Sequence, residues 1–307
     1  MRIRRLLKVL LLTGWFFLPV TMFIVADRPP EIAVSELLHS AQSLERERQG
    51  RIGVAIIDSQ TGQRWSYRGE ERFPITSTFK PLACAALLSE VDAGRARLDQ
   101  SVRIRADDVV SYSPVTGHLV GQSITLSRAC EAAITLSDNT AGNIVLEAIG
   151  GPEGLTGFFR ELGDTHSRLD RTEPSLNEAT PGDSRDSTTP KAVVETLQKL
   201  LIGGALSATS AKQLEDWMIA DQVADSLFRA RLPDGWSIAD KSGAGGYGSR
   251  ALIAMIRPPR REPVFAAVYL TETEASFPQR NSAIAAIGEA IFTRLIALSA
   301  EPPTQTR

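Results

Sequence analysis

Apolar positions recur at helical spacing from Val34 to Arg48, which predicts an amphipathic helix. The period then shortens. Arg51 to Asp58 is a β-branched run carrying Ile52, Val54, Ile56 and Ile57, Thr61-Gly62 supplies a turn, and Trp65 and Tyr67 mark a second short strand. That pattern predicts a hairpin. From about Ser77 to Ala220 the pattern is mostly helical, with Ala- and Leu-rich periodicity near 77–91, 127–149, 153–162 and 190–202, separated by Gly, Pro and Asp clusters. One stretch breaks the rhythm: Arg168 to Pro190 has no clean period and is rich in Thr, Ser, Asp, Glu and Pro. Irregular connections of that length in compact domains tend to be functional. Strands return at Ser237–Lys241, Arg250–Ile256 and Val264–Leu270, with Pro258-Pro259 in the turn between the last two, and a final helix is predicted from about Ser282 to Leu298.

The order is helix, two strands, many helices, three strands, helix. If the five strands form one sheet, the two ends of the chain must meet. The predicted fold is α/β (α+β): a five-stranded antiparallel sheet with terminal helices on one face and an inserted all-helical domain. Residues 27–68 and 215–307 would form the α/β domain and 69–214 the helical domain.

Ahead of this, Arg2, Arg4, Arg5 and Lys8 form a basic head, followed by an uncharged apolar run from Val9 to Ala26 that Asp27, Arg28, Pro29 and Pro30 end abruptly. Residues 1–26 have the layout of a secretory signal peptide, with Ala26 at the cleavage point and Ile24 larger than such a site prefers. The run is also about long enough to be kept as a membrane anchor. Arg4-Arg5 loosely resembles a twin-arginine signal. Either way the bulk of the protein is expected outside the cytoplasm, periplasmic or secreted.

Composition narrows the function. An apolar fraction of 43% in 307 residues allows a large core. A formal net charge of -2 points away from nucleic acid or an anionic membrane as the main partner and toward small-molecule chemistry. The two cysteines, Cys84 and Cys130, read either as one disulfide in an oxidising compartment or as two buried, inert thiols. The histidines (His39, His118, His166) are scattered and there is no C-x-x-C or H-E-x-x-H, so no metal and no cofactor is expected.

Four short segments could carry chemistry, and each has an ordinary explanation. Ser77-Thr78-Phe79-Lys80 opens an apolar helical run; Lys80 then shares a face with Ser77, and the helix start favours a developing anion. Alone, it reads as a capping serine with an exposed lysine. Ser137-Asp138-Asn139 reads alone as a helix boundary. Lys241-Ser242-Gly243 ends a predicted strand, where a lysine commonly blocks sheet extension. Glu173-Pro174-Ser175-Leu176-Asn177 lies in the irregular stretch, where a solvated acid is unremarkable.

Taken in order, S-x-x-K, S-D-N and K-S-G resemble the signature of class A β-lactamases and penicillin-binding proteins, with Ser242 in place of a threonine and the hydroxyl kept. Nearly the whole mature chain resembles class A serine β-lactamases, the group that includes the TEM, SHV and carbenicillin-hydrolysing enzymes. Ser137–Ala141, Gly235–Gly245 and Arg171–Glu178 carry the likeness, the last as the family's Ω-loop (168–190), with Asp186 placed to pair with Arg171. The resemblance implies a disulfide between Cys84 and Cys130. It also implies that Ser77 is the nucleophile, that Lys80, Ser137 and Lys241 move and polarise protons, and that Glu173 with Asn177 holds the deacylating water. The backbone N–H groups of Ser77 and Ala244 would form the oxyanion hole. Lys241, Ser242 and Arg250 would hold the substrate carboxylate, Asn139 the acylamide, and Tyr112 would wall the cleft.

Some positions depart from the family. Thr172 replaces an aromatic residue, neither Thr76 nor Gly245 is cysteine, and Lys241 stands where carbenicillin-specialised members typically have arginine. The expected activity is hydrolysis of penicillins first and early cephalosporins second, with weak carbapenem turnover, by a monomer. The alternatives on the same fold are a non-hydrolysing β-lactam sensor and a D,D-peptidase or esterase.

Overall fold

The structure, a computed structural model, describes residues 31–300, with side chains from 39 to 298; the expected signal segment 1–26 lies outside them. Helix α1 (Glu31–Arg48) leads into the hairpin β1 (Arg51–Asp58) and β2 (Arg64–Tyr67), and the short strand β3 (Phe73–Pro74) follows. Next come α2 (Phe79–Asp92), β4 (Ser101–Arg103), β5 (Ser123–Thr125), α3 (Leu126–Thr135), α4 (Asn139–Ala148) and α5 (Gly151–Glu161). Strand β6 (Ser187–Thr188), α6 (Pro190–Leu201) and α7 (Ala208–Ile219) complete the middle of the chain. The C-terminal third is β7 (Ser237–Ala244), β8 (Arg250–Arg257), β9 (Val264–Thr271) and α8 (Phe277–Ala300).

Five strands form one antiparallel sheet in the order β2-β1-β9-β8-β7. Arg51 pairs with Thr271 and Asp58 with Val264, so the first long strand is closed by the last. Strands covered on both faces read as continuous apolar runs, and β9 is buried at every position. Alternate residues serve different cores. Ile52, Val54, Ile56, Leu252 and Val268 pack with Ile284, Ile287, Ile291 and Phe292 of α8. Ala55, Ile57, Ile253, Phe265 and Tyr269 pack with Phe73, Phe79, Leu82 and Val193 on the helical side. Within α8, Phe277–Leu298 is apolar and long enough to cross a bilayer by length and composition, yet its buried half is the face laid on this sheet.

The sheet matches the predicted one, and the differences are local. The apolar segment 127–149 is two helices, because Leu136, Ser137 and Asp138 leave helical geometry and Asp138 caps α4 by accepting from Ala141 N at 2.8 Å. Helix α7, capped by Ser207, goes beyond the four predicted helical segments. Strand β7 runs on to Ala244, and α8 begins at Phe277. The long connection 168–190 holds only a 3₁₀ turn at Ser175–Asn177 and the two residues of β6. Cys84 of α2 and Cys130 of α3 are disulfide-bonded, with Cα atoms 5.7 Å apart, which resolves the two readings of the cysteines.

Candidate active site

A cleft of about 420 Å³ opens between edge strand β7 and the helical layer, and Ser77 lies in its wall. Ser77 is the middle residue of a buried 3₁₀ turn, Thr76–Thr78, that runs directly into α2. This is the location that favours a developing anion, since the first N–H groups of a helix lack partners within it. Strand β7 passes close behind the turn. A Cβ added to Gly243 would lie 2.0 Å from Thr76 Oγ1 and 3.2 Å from Ser77 N, so only glycine fits. That approach brings the backbone of Ala244 into the same cleft wall as Ser77.

Lys80 is buried, one helical turn beyond Ser77. Its ammonium donates to Ser137 O at 2.7 Å, to Asn139 Oδ1 at 2.7 Å and to Ser137 Oγ at 3.3 Å, and lies 3.2 Å from Glu173 Oε1. Burial pushes its pKa down to about 8; the Glu173 carboxylate opposes that shift and the charge on Lys241 adds to it. The exposed lysine of the ordinary explanation is thus absent.

Glu173 is not a solvated loop acid either, being only 2% exposed. Its Oε1 accepts from Ser77 Oγ at 3.4 Å, and its Oε2 accepts from Asn177 Nδ2. Asn143 of α4 clamps the loop at this residue, accepting from Glu173 N and donating to Glu173 O, both at 2.9 Å; the Glu173–Pro174 peptide is cis. Farther along, Arg171 pairs with Asp186 at 2.6 Å, and the same carboxylate accepts from the backbone N–H groups of Asp170 and Arg171.

Ser137-Asp138-Asn139 serves both as a helix boundary and as site wall. Asp138 caps α4 and also accepts from Val115 N, Thr116 N and Thr116 Oγ1, fixing the segment that carries Tyr112. Ser137 takes a positive φ of 57° and lines the cleft. Asn139 spends one amide hydrogen on Ser111 O at 2.8 Å and lines the cleft with the remainder of its side chain. Tyr112 stands 60% exposed at the cleft wall.

On the opposite side, Lys241 lies on an edge strand as expected of a blocking lysine, yet it is fully buried. Its Nζ donates to Ser242 O at 2.9 Å, and burial lowers its pKa while Asp221 resists that. Asp221 is itself pushed up by burial, with Lys241 opposing. Ser242 donates to Val223 O at 3.3 Å. Arg250, paired with Ala244 across β7 and β8, donates Nε to Asn281 Oδ1 at 2.7 Å and Nη1 to Gly243 O at 3.1 Å. Burial lowers its pKa to about 10. Lys241, Ser242 and Arg250 thus bring two cations and a hydroxyl to one side of the cleft, a donor set suited to a carboxylate.

Of the residues expected from sequence, Ser77, Tyr112, Ser137, Asn139, Asn177, Ser242, Ala244 and Arg250 line one cleft, while Lys80, Glu173 and Lys241 are buried against its wall. Asn143, Asp221, Asn281 and Phe277 were not foreseen. Asn143 could have been found, because it stands one turn beyond Asn139 on α4; the other three join the site only through the folding of α8 and the segment after α7. Among the described residues no group of three or more His, Cys, Asp or Glu could hold a metal ion.

Ser77 and Lys80 both reach the buried carboxylate of Glu173, an arrangement of the kind that acyl transfer through a serine requires. The Beta-lactamase enzyme family model matches residues 36–295, and the chain belongs to that family, as a class A serine β-lactamase. Beta-lactamase CARB-3 of Pseudomonas aeruginosa is 50% identical over 251 residues, covering 82% of this chain and 87% of that protein. Beta-lactamase AER-1 of Aeromonas hydrophila is 48% identical over 273 residues, covering 89% and 88%. The crystal structure of the chromosome-encoded β-lactamase of Vibrio parahaemolyticus superposes with a TM-score of 0.83 at 50% identity, covering 84% of this chain and 98% of that one. This membership identifies the chain as an enzyme that hydrolyses β-lactams, the activity that confers resistance to them.

Proposed function

We propose that the hydrolysis runs through an acyl-enzyme on Ser77, with its residues in the following roles. Ser77 Oγ attacks the lactam carbonyl and passes its proton toward the Lys80–Glu173 pair, while the N–H groups of Ser77 and Ala244 stabilise the oxyanion. As the C–N bond breaks, Ser137 hands a proton to the lactam nitrogen, with Lys80 and Lys241 polarising the relay. Lys241, Ser242 and Arg250 hold the substrate carboxylate, Asn139 the acylamide, and Tyr112 walls the cleft. Water held between Glu173 and Asn177 then attacks the ester, Glu173 taking its proton and Ser77 Oγ leaving with one.

The observation that carries this reading is the contact set of one carboxylate. Glu173 receives Ser77 and Lys80 on Oε1 and Asn177 on Oε2, so the nucleophile, the buried lysine and the group that orients water meet at one carboxylate. We further read the protein as an exported monomer, periplasmic or secreted, acting on penicillins before early cephalosporins with neither metal nor cofactor. The basic head and apolar run of residues 1–26 support export. The two-part division into 27–68 with 215–307 and 69–214 is supported by the two cores on either side of the sheet.

Mixing the purified chain with a chromogenic cephalosporin tests the reading. Sustained turnover is expected. A burst equal to the enzyme concentration would instead mark a β-lactam sensor, and no reaction at all a peptidase or esterase.

A further inference from the structure

Beyond the carboxylate-binding residues, the cleft ends on an aromatic ring that the proposed mechanism does not use. Phe277, the first residue of α8, lines the cavity beside Arg250 and Ser226 and is 46% exposed. Two guanidinium groups flank its ring, Arg250 at 4.8 Å and Arg280 at 5.3 Å from the ring centroid. Among the described residues neither arginine makes an ion pair or hydrogen bond with a carboxylate. Arg250 donates to Asn281 Oδ1 and Gly243 O, both neutral. Arg280 has a buried Nε without a partner, and its Nη1 reaches only Ser249 O, at 3.5 Å. The ring, in the lining of the cleft, thus has two guanidinium groups beside it, and of the two only Arg250 feels a nearby carboxylate, that of Asp221.

An exposed aromatic ring in the lining of a cleft offers a stacking surface, and the Arg280 guanidinium beside it, with no ion pair among the described residues, favours an anionic partner. We propose that Phe277 and Arg280 form an accessory subsite for the substituent that adjoins the ring carboxylate of the substrate. On a cephalosporin this is the C3 substituent, and the favoured chemistry is a flat aromatic group bearing an acid. The inference rests on the proposed carboxylate-binding role of Lys241, Ser242 and Arg250, which fixes the direction in which C3 points. Phe277 stacks on the aromatic part, and Arg280 meets the acid.

Three cephalosporins with one acylamino side chain and a C3 methyl, styryl or 4-carboxystyryl group test this on the purified protein. The wild type is expected to show a KM several-fold lower for the carboxystyryl compound than for the methyl compound. Phe277→Ala should raise the KM for both aryl compounds about fivefold, the scale of one stacking contact, leaving kcat and KM for the methyl compound within about twofold. Phe277→Tyr should keep the preference. Arg280→Gln should raise KM for the carboxystyryl compound and leave the styryl compound unchanged. Equal effects of Phe277→Ala on all three compounds, or none on any, would overturn the subsite and leave Phe277 a support for Arg250. Failure of the wild type to turn over any of them would instead sink the hydrolase reading.

Discussion

Lys80 Nζ lies 3.2 Å from Glu173 Oε1, and both side chains are completely removed from solvent. Burial alone drives a lysine toward its neutral form, and here the carboxylate is the strongest influence keeping the proton on. Glu173→Gln removes that influence while keeping the shape. The titration of Lys80 Cε, followed by NMR, is expected near pH 8 in the wild type and lower in the variant. An unchanged midpoint would show that the two groups are not coupled. The sign for turnover follows: as pH rises through about 8, Lys80 loses its charge and no longer polarises Ser137. Hydrolysis should therefore decline on the alkaline side of a pH profile, with its midpoint near that value.

Glu173→Ala separates the two halves of the reaction. Ser77 keeps its position in the turn ahead of α2 and Lys80 remains beside it to take its proton, so acylation should persist, whereas no base remains for the water. Deacylation should slow by roughly 10²–10⁴-fold, the usual range for a general base. Intact-mass measurement should find the chain carrying one opened antibiotic. Rapid turnover without an accumulating adduct would remove Glu173 from its role.

Arg171 and Asp186 tie the two ends of the long loop together, with the carboxylate buried and the arginine half-covered. Arg171→Ala leaves that carboxylate without its counter-ion. The cost is about 3 kcal/mol, at the low end for a broken buried pair because the arginine retains some solvent. At about 2–4 °C per kcal/mol for a chain of this size, the melting temperature should fall by roughly 6–12 °C. Because Glu173 and Asn177 lie on the same loop, deacylation should suffer more than acylation in stopped-flow measurements. Equal loss in both steps would show that the pair supports only the fold.

Gly243→Ala tests the contact between sheet and nucleophile. The new methyl would meet Thr76 Oγ1 at 2.0 Å, and relief requires moving the turn that holds Ser77. A displacement of that kind costs about 10²-fold in kcat/KM. Adding Thr76→Ala removes the clashing oxygen and should recover about tenfold of the loss. No recovery in the double variant would argue that the clash is relieved elsewhere, away from Ser77.

Much of this was legible before the fold. Strand β1 has the predicted bounds because its β-branched run is apolar at nearly every position, and the ordered motifs place Ser77, Ser137 and Ser242 in the wall of one cleft. The break between α3 and α4 was signalled by Ser137-Asp138-Asn139, which reads alone as a helix boundary, although Leu136 continues the apolar pattern; what the motif did not show is that the Asp138 cap also serves Val115 and Thr116. Lys241 misled in a different way. An edge strand is normally where lysine faces water, but here the helical layer covers the edge. Asp221 and Phe277 carried no local signal at all, since their partners lie on segments far away in the chain.

The pairing of Arg51 with Thr271 also sets when the protein can fold during its synthesis. Until β9 emerges, β1 has only the four residues of β2 beside it, and an isolated hairpin is marginal in water. The apolar face that α8 covers stays open until the final helix has been made. Pairings between the first and last strands are slow to form. The growing polypeptide thus cannot close its sheet until its C-terminal strands are made, and a chain threaded through a membrane before that point would complete its sheet on the far side.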